Sequence, residues 1–179
     1  HTDIKSCLKI ETFEKCAYCE SKIGHNTPGD VEHKIPSSKI ENLHFTWDNL
    51  TIACTECNRR KNDFYSHQDG FLDPYQDDVE TMLDHCGPVV TAKVGHPRAE
   101  VVVSILKLCS EERIELVKGK IRAIQALQNV LERYNATPDG ALREVLRLQI
   151  IDLASPSSEY SSMIKHALCA RGYGPLLGF

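Results

Sequence analysis

The chain has 179 residues, 41% of them hydrophobic and 26% charged, with a formal net charge of −4, enough for one good core or a small metal-stapled module with a helical partner. No apolar run approaches the ~20 residues a membrane span needs, and the acidic balance excludes a protein that holds nucleic acid by bulk attraction, since that affinity comes from Lys and Arg releasing counterions. The N-terminus lacks the charged, apolar, small-residue succession of a secretion signal, and His1 in place of an initiator methionine reads as a trimmed start.

In chain order, residues 1 to about 70 are rich in Cys, His, Asn and aromatics and show little helical periodicity. The pair Cys16/Cys19 is followed by Gly24-His25-Asn26-Thr27-Pro28-Gly29, a loop around His25. Val31-Glu32-His33-Lys34-Ile35-Pro36 fits a short strand ended by proline. Trp47-Asp48-Asn49-Leu50-Thr51 reads as a loop entering a helix, with Asp48 or Asn49 as its cap and Trp47 packed beneath it. Cys54 to Asn62 carries the second pair, Cys54/Cys57, and then Asn58, Arg59, Arg60 and Lys61.

Residues 71–97 form an acidic connector, with Asp73, Asp77, Asp78, Glu80 and Asp84, turn signals at Asp73-Pro74, Gly87-Pro88 and Gly95-His96-Pro97, and a short strand over Val89 to Val94. That acidic run reads as a solvated face, with DNA mimicry or contact with a partner as the sharper alternatives. Residues 98–179 read as helices. The longest runs from Glu111 to Tyr134 behind Ser110 as N-cap, with a buried stripe through Ile114, Val117, Ile121, Ile124, Leu127 and Leu131. Gly119 weakens it by about 1 kcal/mol. Pro138 suits the first turn of the next helix, whose stripe is Leu142, Val145, Leu146, Gln149 and Ile150, and a last helix follows from Glu159 to Ala170. The fold class expected is α+β: a zinc-stapled module over 1–70, the connector, and a mostly helical region that packs on the module or binds a partner.

The chemistry is concentrated in the first part. Each CxxC sets two sulfurs on a tight knuckle, and four thiolates complete a tetrahedral Zn²⁺ shell with no open position, so Cys16, Cys19, Cys54 and Cys57 predict a structural zinc. Closing that site folds the 34 intervening residues back on themselves and brings His33 toward Asn58. The spacing exceeds the ~15–20 residues of a simple ribbon and leaves room for an inserted hairpin. Cys7, Cys86, Cys109 and Cys169 stand alone, and metal use fits a reducing, cytoplasmic compartment better than a disulfide framework. Even here the balance is acidic, with 9 basic against 11 acidic residues over 1–70. A module with this balance binds free nucleic acid weakly or borrows affinity from a partner.

The series Val31-Glu32-His33 with Ile35-Pro36, Trp47-Asp48-Asn49-Leu50, and Ala53-Cys54 through Cys57-Asn58-Arg59 and Lys61 resembles an HNH endonuclease of the ββα-metal type with four zinc cysteines. The resemblance spans roughly residues 16 to 62 and implies His33, Asn49 and Asn58 as the three motif letters, with Glu32 in the acidic position before the histidine. It implies a second, catalytic Mg²⁺ or Mn²⁺ held by Glu32 and Asn58, oxygen ligands that suit a hard cation, and His33 as the base that takes a proton from the attacking water. Asn49 would orient the loop bearing His33, and Arg59, Arg60 and Lys61 are the candidate phosphate contacts. Phe71 to Glu80 and Ala99 to Lys120 look like the region after the motif in HNH proteins of antiphage defence, among them the Septu nuclease subunit and retron-linked relatives. That likeness implies a DNA substrate and an ABC-type or SMC-like ATPase partner.

The bland reading is a non-catalytic zinc module binding nucleic acid or protein through Arg59, Arg60, Lys61 and the helices. His44 and His67 read as surface histidines, with extra ligation or substrate contact as the alternative.

Overall fold

The computed structural model describes residues 2–24, 28–67 and 70–178; His25 lies outside them. Helix α1, Thr2–Glu11, was not legible in the sequence because only two apolar residues anchor it. Leu8 is wholly buried and Ile4 packs beside it, four residues apart on one face.

Next comes an antiparallel hairpin of β1, Asp30–His33, and β2, Leu50–Ala53, in the register Val31↔Ile52 and His33↔Leu50. Gly29 feeds β1 with a φ of +70°, and a side chain there would lie 2.8 Å from Ile23 Cγ2 and 3.2 Å from the Ala53 carbonyl oxygen, so both conformation and space demand glycine. The segment expected to be a loop entering a helix is instead a 3₁₀ turn, Trp47–Asn49, running straight into β2. All four β2 residues are buried, and such short apolar runs do not declare strand or helix by periodicity. Helix α2, Thr55–Lys61, follows one residue later. Its cap is neither Asp48 nor Asn49 but Cys54, whose Sγ accepts from the Cys57 N–H at 3.4 Å. Helix α2 packs against both strands, which completes a ββα unit. Trp47 does not pack beneath α2: it is 42% exposed, and its indole N–H donates to Glu11 of α1.

The connector turns two of its acids inward instead of leaving them solvated. Asp73 pairs with Lys34 at 2.8 Å, and Asp77 takes Arg98 at 2.7 Å while the same guanidinium donates to the Gly70 and Phe71 carbonyls. A one-turn helix α3, Val79–Met82, leads into the hairpin of β3, Leu83–Cys86, and β4, Val89–Ala92, which turns at Gly87-Pro88.

Four helices follow: α4 Pro97–Leu106, α5 Ile114–Ala136, α6 Ala141–Leu153 and α7 Ser161–Ala170. Ser110 does cap, accepting from the Glu112 N–H, but it caps a 3₁₀ turn that precedes α5. The expected stripe on α5 holds at its C-terminal end, where Leu127 and Leu131 are buried and Ile124 packs on the core, but Ile114 and Ile121 are exposed and the N-terminal half buries Leu116 and Lys120 instead. On α6, Leu146 and Ile150 are buried but Leu142 and Val145 are not. Helix α6 begins after Gly140, so Pro138 lies ahead of its first turn. These helices share one hydrophobic core with the zinc module, giving an α+β fold with a ββα zinc module at the N-terminal end. Among the described residues no helix is long and apolar enough to cross a membrane.

Gly119 now has a packing reason. A Cβ there would sit 2.4 Å from the Tyr160 hydroxyl, which is buried and hydrogen-bonded to Ser21. Gly119→Ala should therefore destabilise the protein by about 1–3 kcal/mol, overpacking outweighing the ~1 kcal/mol helix-propensity gain. A thermal melt higher than that of the unmodified chain would refute the close approach.

Candidate metal centre and active site

The four CxxC sulfurs converge. All lie within 4.8 Å of one another, all four residues are buried, and Cys19 Sγ to Cys54 Sγ is 3.8 Å. Zn–S bonds of ~2.3 Å in a tetrahedron require sulfurs ~3.8 Å apart, so the cluster fits zinc. No cysteine is joined in a disulfide, and Cys7, Cys86, Cys109 and Cys169 are exposed. Local backbone sets each knuckle: Cys16 N–H donates to the Ser21 carbonyl, and α2 begins between Cys54 and Cys57.

One cation from the helical region, Arg113, closes over this cluster, and a second, Lys120, is buried within reach of its charge; neither was legible in the sequence. Arg113 is buried, with Nη1 3.2 Å from Cys57 Sγ and Nη2 3.9 Å from Cys54 Sγ, and it also donates to the Leu106 carbonyl. Burial opposes its charge, but the Cys57 and Cys19 thiolates outweigh burial and hold it protonated more firmly than usual. Lys120 is buried on α5, where desolvation pushes its ammonium down and the Cys19 thiolate pulls it back up. A zinc tetrathiolate carries two negative charges, which these side chains offset.

The candidate reaction centre lies at the end of β1. His33 is half-buried, with Nε2 3.0 Å from the His44 carbonyl and its ring stacked on the His44 ring, centroids 4.7 Å apart. A carbonyl only accepts, so Nε2 carries a ring proton, and Nδ1 is the ring nitrogen left for other chemistry. His44 is thus more than a surface residue, while His67 is exposed.

Asn49 is buried, and its amide closes the loop that follows His33. Oδ1 accepts from Ile35 N–H at 2.8 Å, and Nδ2 donates to the Ile35 and Leu43 carbonyls at 2.9 and 3.2 Å. The three bonds fix both ends of the segment that carries His44.

Asn58 is half-buried on α2, the helix that Lys61 ties to the end of β1. Lys61, three residues on and so on the same helix face, donates to the His33 carbonyl at 2.7 Å. Lys61 is also where one expectation is corrected: with Arg59 and Arg60 it was read as a surface cation for phosphate, yet it is 1% exposed and lies 2.5 Å from Glu32 Oε1. Glu32 alternates with His33 along β1 and so faces inward, 3% exposed, with the Tyr18 hydroxyl 3.5 Å away. Burial pushes its carboxyl up and Lys61 pulls it part of the way back. A carboxylate and an amide are therefore present in kind for a hard cation, with the carboxylate shared with Lys61.

The other two cations are largely compensated. Arg60 lies between Glu56 at 2.6 Å and Glu112 at 3.0 Å. Arg59 also pairs with Glu56, but its side chain keeps 64% of its surface and is the freer of the two.

Residues 16–64 match the family model described as HNH endonuclease. The chain is similar to the Septu protein PtuB of Bacillus thuringiensis, 26% identical over 92% of this chain and 68% of the relative. It is also similar to the Septu protein PtuB of Bacillus mycoides (strain KBAB4), 26% identical over 76% of this chain and 60% of the relative. No solved structure matches the chain.

Proposed function

We propose that the protein hydrolyses DNA phosphodiester bonds with a divalent cation, His33 acting as general base, a reading supported by the match of residues 16–64 to the HNH endonuclease family model. One observation carries the reading: an imidazole whose Nε2 proton is tied to the His44 carbonyl, at a strand end bound to α2 by Lys61. A lone pair on the other ring nitrogen is what a base needs. Asn49 supports that role by holding the loop behind the ring.

Asn58 and Glu32 would hold Mg²⁺ or Mn²⁺, which when bound neutralises phosphate charge and stabilises the leaving oxygen. Arg59 is the favoured phosphate contact and Arg60 the second. Lys61 joins the centre as the residue that fixes β1 to α2. The likeness to Septu PtuB proteins supports an antiphage role in the cytoplasm. An ABC-type or SMC-like ATPase subunit would lend the DNA affinity that a net charge of −4 withholds.

The test is plasmid incubated with the protein and Mg²⁺ or Mn²⁺, alone and with a copurified ATPase subunit. Cutting should need the added cation, and His33→Ala should slow it by at least roughly 100-fold. Undiminished cutting by His33→Ala would remove the base. The second reading, a non-catalytic zinc module, is favoured by the Glu32 carboxylate already neutralised by Lys61. It predicts no cutting under either metal with the partner present.

A further inference from the structure

Beside the candidate base the surface is aromatic and apolar rather than cationic. Phe45 is 78% exposed, Trp47 42% and Ile40 36%, all on the segment between β1 and β2. Phe45 meets the His44 ring edge-on with centroids 4.4 Å apart, and His44 stacks on His33 at 4.7 Å. Three rings thus run outward from the reaction centre, ending on a phenyl that packs under nothing. Leaving a phenylalanine in water forgoes the free energy that its burial would release.

The segment is not loose. Leu43 N–H donates to Ile40, His44 N–H to Glu41, Thr46 N–H to Leu43 and Asn49 N–H to Thr46, while the Asn49 amide holds the Leu43 carbonyl. A rigid support that presents an aromatic ring at little entropic cost is what base stacking uses.

Charge points the same way. Lys61 is buried, Arg60 is doubly paired, Arg59 shares Glu56, and Lys39 on this segment pairs with Asp63 at 3.3 Å. With few free cations the phosphate backbone contributes little, so affinity must come from another part of the nucleotide. Every nucleobase has a π-face, but it is open to a side chain only where the base is unpaired or unstacked.

We propose that Phe45 is a nucleobase-stacking residue and that the substrate strand is unpaired, or opened, next to the scissile phosphate. This rests on the nuclease reading and names its substrate class. The occupant of the patch is nucleic acid, not a second copy of the chain.

The test reads binding apart from cutting. In a His33→Ala background, a single-stranded oligonucleotide carrying 2-aminopurine is titrated with protein, and the same sequence is titrated as a blunt duplex. Quenching and tighter binding are expected on the single strand. Phe45→Ala should weaken that binding by roughly 5- to 100-fold and abolish the quench, Phe45→Trp should keep both, and the duplex should change little. Because Phe45 is exposed, the thermal melt should not move.

Single-strand binding unchanged by Phe45→Ala overturns the proposal, and so does an equal loss on strand and duplex. Dissociation of a dimer on Phe45→Ala with binding intact assigns the patch to self-association and also overturns it. If the unmodified protein cuts while Phe45→Ala alters neither binding nor strand preference, only this inference fails. If it never cuts, the nuclease reading fails, and stacking is still decided by the quench.

Discussion

Stripping zinc from the four-thiolate cluster should lower the melting temperature by at least about 10–20 °C, the effect of losing even ~5 kcal/mol from a chain of this size. Structural zinc contributes apparent binding free energies of about 10–16 kcal/mol in small peptide modules, against a total stability of ~5–15 kcal/mol for a domain. The first 61 residues have few other sources of stability: two four-residue strands, helices of ten and seven residues, and a knuckle closed by an isolated bridge, Lys15↔Lys22. Without the ion, four buried thiols would crowd together beneath Arg113. Calorimetry with and without a strong chelator, alongside a zinc assay expected to give one ion per chain, measures this. A zinc-free preparation with an unchanged melt would remove the metal from the fold. Because Arg113 bonds two of the sulfurs from the helical side, the loss should spread into α5 instead of stopping at the module.

Lys61→Met should cost about 3–5 kcal/mol, the penalty of stranding one partner of a buried ion pair. Lys61 and Glu32 are among the least exposed charged residues, at 1% and 3%. Lys61 also satisfies the His33 carbonyl. The double change Glu32→Gln with Lys61→Met should recover much of the loss, because removing both charges removes the uncompensated one.

The penalty should depend on pH. Burial already raises the Glu32 carboxyl and Lys61 opposes that rise; without Lys61 the carboxyl climbs further. A carboxyl raised on folding binds more protons in the native state, so stability falls as pH rises through the gap between its unfolded and folded values. Lys61→Met should therefore lose least near pH 4–5 and most above neutrality, where Glu32 must ionise or stay protonated at a cost. Urea midpoints across that range check it. A uniform penalty at every pH would mean that the ion pair is not what Lys61 supplies.

The four metal-binding cysteines could be read because spacing alone carried them, whereas the ββα order came only through the resemblance to HNH endonucleases. Two CxxC knuckles admit few geometries, and a histidine ending a short strand just before proline is a local pattern. What escaped was everything held by long-range contact. The β2 strand looked like a helix entry because Leu50–Ala53 is apolar throughout and too short for period to decide. Helix α1 was hidden for want of a third anchor. The stripes of α5 and α6 were right at Leu127, Leu131, Leu146 and Ile150 but too wide, since Ile114, Ile121, Leu142 and Val145 stay exposed: period marks a face, and only packing decides how much of it is covered.

The four clustered sulfurs were thus determined by the sequence, since the ligand pairs of a zinc knuckle are set over a few residues. Tertiary structure alone decided that Arg113 covers the thiolates, that Lys61 serves Glu32 rather than phosphate, and that Phe45 is left in water. The physical reason is burial: whether a lysine is a surface cation or half of an interior ion pair depends on what packs over it, and composition is silent on that.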